Sequence, residues 1–396
     1  MQRFELPERT DWRELAREVG FRYHTTRRSP YWTDDAYYLF EPDCIERLIE
    51  GATAELWALC LQVVERACRD DEVLRSLGIP EACWNALSAS WARRDPDLLA
   101  RFDLAFDGIG PAKLHECNAD TAGTLFEAAV FQWIWLEDRH RGGELPASHD
   151  QFNRLHVALV AAFAALGGQG ARPLHAAASQ RNLEDQVWAR YLQDCANQAG
   201  LDTRYVDLEA IRLDAGGRLV DSTGLPIRSL LKAYRWEVLL REPYGAHLLA
   251  ADSPSVIEPL WKLVLASKGL LVWLWRLFPG HPNLLPAWFA DDPVAPTGDC
   301  VVKPLFSIKG CNVTMWDCSL PAGGLSTPGP YGREGRVVQA LHRLPTFDGS
   351  MRTRHTSVTS WIVRGQAEGI GILESDGPIV FDDYSRFVPH VVAARP

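Results

Sequence analysis

Residues 101–120 constrain the fold more than any other part of the sequence, because they have the pattern of two strands joined by a tight turn. Phe102, Leu104 and Phe106 alternate with polar residues, which is the period of a half-buried strand. The following segment, 107–111, contains glycines and a proline, which allow the chain to reverse. The sequence therefore predicts a β-hairpin.

The polar residues of this hairpin are of the types that a magnesium site requires. Arg101 and Asp103 share one face of the first strand, and Glu116 and Asn118 share one face of the second, because residues two apart point to the same side. Strand pairing would bring together two carboxylates, an amide oxygen and a guanidinium. Such a group can bind Mg²⁺ and an anionic partner. The alternative is a hairpin with a solvated polar face, and spacing alone leaves both interpretations open.

Size and charge restrict the classes of function. The chain has 396 residues, 47% of them hydrophobic, and can bury a large core in two or three lobes. Its net charge of −10 argues against a nucleic-acid partner, which would require a basic face. A local basic pocket could still bind a polyanionic ligand.

The cysteines and apolar segments indicate the compartment. The nine cysteines are odd in number and have no Cys-x-x-Cys spacing, which disfavours zinc sites and a thioredoxin motif. Several lie in apolar helical runs, so we expect buried, reduced thiols. The N-terminus has no apolar core of signal-peptide length, and residues 263–278 fall short of a membrane span. We therefore expect a soluble, cytoplasmic protein with no membrane partner.

Hydrophobic periodicity predicts a mixture of helices and strands. Helical spacing occurs over about 41–67, 82–91, 124–138, 152–166, 182–199, 231–241 and 258–278. Strands are predicted at 172–178 and 203–208, on either side of a helix, as in a βαβ unit without a G-x-G-x-x-G fingerprint. Beyond residue 285 the pattern is that of strands, with a second hairpin over 357–373.

Two local predictions concern helix caps. Residues 1–40 are expected to form irregular structure and short helices, with Asp34 and Asp35 as a possible cap. Thr124 and Glu127 have the spacing of a capping box.

Three more polar residues lie on apolar elements: Lys268, Lys303 and Gln339. A lysine in such a place either reaches solvent along its apolar stem or binds an anion. Gly310, in the turn after Lys303, could bring backbone N–H groups toward a phosphate. Gln339 could bind a flat heterocycle at a strand end or belong to a plain edge strand. No G-x-S-x-G motif supports Ser/His/Asp catalysis.

Ordered blocks along nearly the whole chain identify a family. They include Arg101-Phe-Asp103, Leu114-His-Glu-Cys-Asn-Ala-Asp-Thr121, Ser267-Lys-Gly-Leu-Leu271, Val301-Val-Lys-Pro304 and Gly369-Ile-Gly-Ile372. The chain resembles the C-terminal synthetase domain of glutathionylspermidine synthase and its stand-alone bacterial homologues. The resemblance implies an α+β ATP-grasp fold with a small α/β pre-ATP-grasp-like lobe and a lid subdomain.

The resemblance also implies a division of the chain. We expect residues 1–170 to form a helical region with the Mg²⁺-binding hairpin, and 171–255 the small α/β lobe. Residues 256–345 would form the lid, and 346–396 the strands that complete the core.

The activity implied by the resemblance is that of an ATP- and Mg²⁺-dependent carboxylate–amine ligase that forms an amide through an acyl phosphate. The expected metal ligands are Asp103, Glu116 and Asn118, and the expected catalytic residue is Arg101. The expected ATP-binding residues are Lys268, Lys303, Ser307, Gly310, Asn312, Gln339, Ala340 and Leu341. The expected partners are a small peptide or amino-acid carboxylate and an amine, and nothing indicates the oligomeric state.

The sequence departs from the family pattern at the lid and on a core strand. Ile308 and Lys309 stand where the family commonly has arginine and glutamate, and Leu373 stands where relatives tend to carry arginine. Loss of a charge-stabilising donor can cost roughly 10²–10³ in rate. One alternative is therefore a catalytically weakened ATP-binding protein with a sensor or assembly role, and another is phosphotransfer to a non-carboxylate acceptor.

Overall fold

The computed structural model describes residues 1–25, 30–167, 173–320, 324–349, 352–381 and 384–395. The α-helices are α1 (Trp12–Glu18), α2 (Pro42–Cys44), α3 (Gly51–Ala67), α4 (Asp71–Ser76), α5 (Trp84–Ala92), α6 (Gln132–Arg141), α7 (Leu155–Leu166), α8 (Leu183–Gln198), α9 (Trp236–Leu239), α10 (Leu263–Ala266) and α11 (Gly269–Leu277). Short π-helical segments occur at Ile45–Glu50 and Glu127–Phe131, and 3₁₀ turns at Glu81–Cys83, Leu208–Ala210, Gly245–Leu249 and Leu260–Lys262.

The strands in chain order are β1 (Gln2–Glu5), β2 (Ala36–Phe40), β3 (Leu99–Ala105), β4 (Lys113–Asn118), β5 (Leu174–Ala178), β6 (Thr203–Asp207), β7 (Arg212–Leu213), β8 (Leu219–Val220), β9 (Ser229–Ala233), β10 (Ser255–Ile257), β11 (Ala287–Phe289), β12 (Cys300–Pro304), β13 (Thr314–Trp316), β14 (Leu325–Ser326), β15 (Arg336–Ala340), β16 (Thr346–Asp348), β17 (Thr353–Val363), β18 (Gln366–Ser375), β19 (Ser385–Val388) and β20 (His390–Val392). In the described residues these strands form five sheets.

The central sheet contains both predicted hairpins. Its strand order is β19-β18-β17-β3-β4, and β16 pairs with the outer part of β17. β3 pairs antiparallel with β4 and with β17, although more than two hundred residues separate β3 from β17. α7 packs on β17 and α3 on β18, which explains why these two strands are buried almost throughout. Both hairpin predictions are confirmed.

A four-stranded parallel sheet, in the order β10-β9-β5-β6, forms the small α/β lobe. β5 and β6 are connected by α8, which confirms the predicted βαβ unit. The predicted helix over 231–241 is wrong at its start, because Ser229–Ala233 forms β9 and only Trp236–Leu239 is helical. The apolar pair Leu230 and Leu231 suits either structure, and pairing on both sides decides for a strand.

A five-stranded antiparallel sheet, in the order β11-β15-β12-β13-β14, forms what we call the lid sheet. Lys303 lies on β12 and Gln339 on the neighbouring β15. Because β15 lies between β11 and β12, the interpretation of Gln339 as part of an edge strand is wrong.

The N-terminal residues form part of a three-stranded sheet. β1 pairs antiparallel with β2, and β2 pairs in parallel with β20 near the other end of the chain. The prediction that Asp34 and Asp35 cap a helix is therefore wrong. Asp34 instead accepts a hydrogen bond from Arg9 Nη2 at 2.7 Å and one from Trp32 Nε1 at 3.1 Å.

The predicted helix over 258–278 is broken at Ser267. This residue is extended, so α10 ends at Ala266 and α11 begins at Gly269. Ser267 Oγ donates to the Leu77 carbonyl oxygen at 2.8 Å, and the Lys268 N–H donates to the Leu305 carbonyl oxygen at 2.8 Å. Lys268 consequently lies at a helix start and not within a helix.

A buried ion pair fixes the start of β3. Lys262 Nζ contacts the Glu258 carboxylate and donates to the Leu99 carbonyl oxygen at 2.8 Å. Glu258 Oε1 accepts from the Leu99 N–H at 2.9 Å. Both charged side chains are fully buried, so loss of either would leave an uncompensated charge. The pair thereby holds the strand just before Arg101.

All nine cysteines lie among the described residues, no two of them are joined in a disulfide, and five are buried. Of the helices described, none combines the length and apolar character that a bilayer span needs. The division into four segments remains a proposal, and its boundary at 170/171 lies outside the described residues.

Candidate active site

A cavity of about 730 Å³ lies where the central sheet, the lid sheet and the small α/β lobe meet. We call this cavity the central pocket. Its walls are one face of β3 and β4, parts of β12 and β15, and the residues around the start of α8. Lys268, Ser307 and Asn312 lie behind the wall, whereas the other predicted site residues line the pocket.

The register of the first hairpin brings its four predicted residues together. Asp103 lies opposite Glu116, and Arg101 lies opposite Asn118. Arg101 holds the Asp103 carboxylate through two hydrogen bonds, from Nε at 2.7 Å and from Nη2 at 2.9 Å. Asn118 Nδ2 donates to the same carboxylate at 3.1 Å. The polar face of the hairpin thus forms one cluster on the pocket wall.

Lys268 reaches this cluster from the break between α10 and α11. Its Nζ lies 3.0 Å from Glu116 Oε1 and donates to the Ser307 carbonyl oxygen at 2.8 Å. The lysine is only 5% exposed. The alternative that it extends along its apolar stem to solvent is therefore wrong.

Lys303 and Gln339 form a second polar group on the lid sheet. Lys303 Nζ donates to Gln339 Oε1 at 2.7 Å and to the His115 carbonyl oxygen at 2.8 Å. Gln339 Nε2 donates to the Leu114 carbonyl oxygen at 3.0 Å. These bonds tie the lid sheet to β4, and the next residues along the chain, Ala340 and Leu341, line the same pocket.

The turn that follows β12 contacts the opposite side of the pocket through its backbone. Gly310 has φ +68°, and a Cβ at this position would lie 2.3 Å from the Val380 carbonyl oxygen. Only glycine fits this approach. The Asn312 side chain does not line the pocket. Its Oδ1 accepts a hydrogen bond from the Tyr331 N–H at 2.7 Å.

The pKa values of the two hairpin carboxylates are shifted in opposite directions. Burial, together with the charge of Glu116, raises the pKa of Asp103 even though Arg101 acts in the opposite direction. Burial would also raise the pKa of Glu116, but Lys268 and Lys303 outweigh it and the pKa falls below its usual value. Glu116 is therefore held as an anion between cations.

This donor set fits Mg²⁺. Two carboxylates and an amide oxygen are the hard ligands that Mg²⁺ takes, usually with phosphate oxygens and water completing its shell. The pKa of Asp103 is raised chiefly by burial, and a bound divalent cation would favour the charged form of this carboxylate.

A second polar cluster, absent from the sequence prediction, contains Glu127. Its carboxylate accepts from Tyr31 OH at 2.5 Å and from Tyr23 OH at 2.9 Å, and both tyrosines line the pocket. Burial and the charge of Glu184 raise the pKa of Glu127 to about 7. The predicted capping box with Thr124 is wrong, because the carboxylate is engaged by the tyrosines. The aromatic density of residues 1–40 was the only sequence signal for this cluster.

Charged residues around the start of α8 were also missed. Asn182 Oδ1 caps the helix by accepting from the N–H groups of Glu184 and Asp185. The Glu184 carboxylate lies 2.9 Å from Lys309 Nζ of the lid turn. Arg235, which precedes α9, lines the pocket beside them.

Leu373 places an apolar side chain on the pocket wall from β18. Two arginines of adjacent strands, Arg354 and Arg386, instead contact Asp376 and do not line the pocket. These two residues therefore supply no cation to the pocket in place of the one expected at 373.

Comparisons with known proteins identify a matching family and several relatives. The model of the glutathionylspermidine synthase preATP-grasp family matches residues 3–393. A putative acid–amine ligase of Haemophilus influenzae is 34% identical over 400 residues, which cover 97% of this chain and 98% of that protein. The bifunctional glutathionylspermidine synthetase/amidase of Escherichia coli is 27% identical over 384 residues, which cover 91% of this chain and 60% of that protein.

Among solved structures, a glutathione synthetase-like effector from Globodera pallida, in its apo form, has a TM-score of 0.56 to this chain at 10% identity. The match covers 98% of this chain and 100% of that one. At this identity the similarity concerns the fold alone, and it confirms the expected α+β architecture of ATP-grasp type.

Proposed function

Because the chain belongs to the glutathionylspermidine synthase preATP-grasp family, we propose that it is an ATP- and Mg²⁺-dependent enzyme that joins a carboxylate to an amine through an acyl phosphate. The chain is a carbon–nitrogen ligase, as its relatives are. One observation carries the finer proposal. The hairpin register sets Asp103 opposite Glu116, and Lys268 lies 3.0 Å from Glu116.

Asp103, Glu116 and Asn118 would hold Mg²⁺, which when bound neutralises phosphate charge. Lys268 and Lys303, followed by Arg101, lower the pKa of Glu116, so both lysines lie close to the carboxylate that would face the metal. We propose that these two lysines bind ATP phosphates.

The nucleotide would lie along the lid sheet. The Gln339 side chain and the backbone of Ala340 and Leu341 would contact the adenine, and Gly310 would allow the lid turn to approach the phosphates. Ser307 contributes through its carbonyl group, which orients Lys268, and Asn312 through the turn that it stabilises.

In the proposed reaction an oxygen of the substrate carboxylate attacks the γ-phosphorus of ATP, and ADP leaves. The amine nitrogen then attacks the acyl carbon, the bond from that carbon to the phosphate oxygen breaks, and the amine loses a proton. Arg101 is suited to stabilise the charge on the transferring group, because its guanidinium also donates to the Gly123 carbonyl oxygen at 2.7 Å and so spans the metal cluster and the start of the next helix.

We propose small-molecule substrates: a peptide or amino-acid carboxylate and an amine. Glutathione and spermidine appear in the names of relatives, and we do not assign them to this chain as substrates. Nine cysteines without a disulfide suit a reducing compartment, so we propose a cytoplasmic location.

A second candidate function rests on Leu373. The pocket contains an apolar side chain where the family resemblance implies arginine, which favours a weakened ATP-binding protein with a sensor or assembly role. Measurable ligation that appears only after Leu373→Arg would support this candidate.

The proposed function predicts ADP release that depends on both an acid and an amine. We would incubate the full chain with ATP and Mg²⁺, screen peptides and γ-glutamyl compounds against amines and amino acids, and identify products by mass. We expect ADP release, phosphate release and a product lighter by one water than the sum of its substrates. ADP release that no acid–amine pair stimulates would contradict ligation and favour the second candidate.

A further inference from the structure

Charged residues line one end of the central pocket, and their arrangement bears on which acceptor amine can bind there. We call this part the substrate end, and its charged lining residues are Arg181, Glu184, Asp185, Arg235 and Lys309. It adjoins the proposed site of phosphoryl transfer, because a Cβ on Gly123 would lie 2.7 Å from Glu184 Oε1, and the Gly123 carbonyl accepts from Arg101.

The two lining carboxylates already have cationic or hydrogen-bonding partners. Glu184 is paired with Lys309 at 2.9 Å across the gap between the small lobe and the lid turn. Asp185 accepts from Asn182 Nδ2 at 2.7 Å, and burial together with the charge of Glu184 raises the pKa of Asp185 to about 7. Near neutral pH, part of the Asp185 population is therefore uncharged.

Arg235 carries a guanidinium nitrogen without a hydrogen-bond partner. Its Nη1 is buried and forms an ion pair with Glu237 Oε1 at 2.9 Å, but it donates no hydrogen bond to any group in the described part of the chain. Lys309 and Arg235 both act to lower the pKa of Asp185, so the three groups are close together. The substrate end thus has more basic than acidic lining residues and an incompletely bonded guanidinium.

We propose that the acceptor amine carries an acidic group of its own, as an amino acid does, and that Lys309 and Arg235 select it over a polyamine. This inference rests on the proposed ligase function. A polyamine would have to displace Lys309 from Glu184 and would place a second ammonium group near Arg235. A zwitterionic acceptor can instead direct its acidic group to these cations. The cations would thus attract the acidic group of the zwitterion and repel the second ammonium of a polyamine.

A matched pair of ligands tests the preference without turnover. 4-Aminobutyrate and putrescine have the same chain length, but one ends in a carboxylate and the other in an ammonium. We would titrate each into the full chain saturated with ADP and Mg²⁺ and measure binding by calorimetry. We expect 4-aminobutyrate to bind roughly tenfold more tightly than putrescine.

The Lys309→Glu variant should reverse or abolish this preference, because it would turn the paired cation into a second anion beside Glu184. The control is Arg47→Glu, which makes the same change of net charge at an exposed residue outside the pocket lining and should keep the wild-type preference. Equal or tighter binding of putrescine to the wild-type chain, or no measurable binding of either ligand, would overturn the inference. If no acid–amine pair causes ADP release, the proposed function is contradicted. The binding experiment is a separate test, because it measures affinity without turnover.

Discussion

We expect the Glu116→Gln variant to lose roughly 10²–10³-fold in the rate of ADP release. The substitution keeps the size of the side chain and an oxygen that can accept from Lys268, but it removes the negative charge proposed to bind Mg²⁺. A weakened metal site should also require a higher Mg²⁺ concentration for the remaining activity. Steady-state ADP release over a series of Mg²⁺ concentrations measures both effects, and thermal unfolding reports whether the fold is kept.

A matched control lies on the same hairpin. Asp107 is in the connecting turn, outside the pocket lining, and its Oδ1 accepts from the N–H groups of Ile109 and Gly110 at 2.9 and 3.0 Å. Asp107→Asn makes the same exchange of carboxylate for amide and should leave the rate of ADP release unchanged. Wild-type activity in Glu116→Gln would contradict the metal assignment.

The second large effect is expected for Lys303→Met. A hydrogen bond to a charged group contributes about 1.5–3 kcal/mol, so loss of the ammonium should weaken nucleotide binding by roughly 10–100-fold. Methionine retains most of the apolar stem, which keeps the packing of β12 on β15. Calorimetric titration with ADP and Mg²⁺ measures the change in the dissociation constant.

The acidity of Lys303 adds a pH signature. Burial, with a contribution from Lys268, lowers the pKa of Lys303 to about 8. The lysine is charged below this pH and neutral above it, so nucleotide affinity should fall as the pH rises from about 7 to about 9. Lys303→Met should lack this component of the pH dependence.

Lys113→Met is the control for this experiment. Lys113 lies on β4, contacts the Pro282 carbonyl oxygen and does not line the pocket. Its removal should change neither the affinity nor the pH dependence. An unaltered dissociation constant in Lys303→Met would refute the phosphate-binding role of Lys303.

The geometry of the hairpin cluster, which we propose binds Mg²⁺, could be predicted because its information is local. Alternation along β3 and the short turn after it set which residues of β4 lie opposite, so Asp103 and Glu116 could be paired from the sequence. The irregularity in the pairing between Asp103 and Leu104 could not, since no glycine or other local signal marks it.

Two elements were misassigned because their surroundings decide their structure. The apolar run at Leu230 and Leu231 has no periodicity that separates a helix from a strand, and only its pairing with β5 and β10 makes it a strand. The one proline in the predicted helix over 258–278 is Pro259, near its start, so no proline marks the break at Ser267. Ser267 is extended there because its hydroxyl and the neighbouring N–H bond to distant carbonyl groups.

The Glu127 cluster and the substrate end could not be predicted because their members are distant in sequence. Tyr23 and Glu127 are 104 residues apart, and Glu127 had a plausible local role in a capping box. Glu184 and Lys309 come from different lobes, and the family pattern marked Lys309 only as a departure. Family resemblance therefore proposes residues for the nucleotide and the metal, but none that would select the acceptor.

The attack of a carboxylate oxygen on ATP is tested most directly by an isotope experiment. The carboxylate substrate found in the screen would be labelled with ¹⁸O in both carboxyl oxygens and converted with ATP, Mg²⁺ and the amine, and the released phosphate would be analysed by mass spectrometry. The acyl-phosphate route transfers a carboxylate oxygen to phosphate, so we expect each phosphate to carry one ¹⁸O atom. Unlabelled phosphate formed together with the amide product would contradict an acyl phosphate made from the substrate carboxylate.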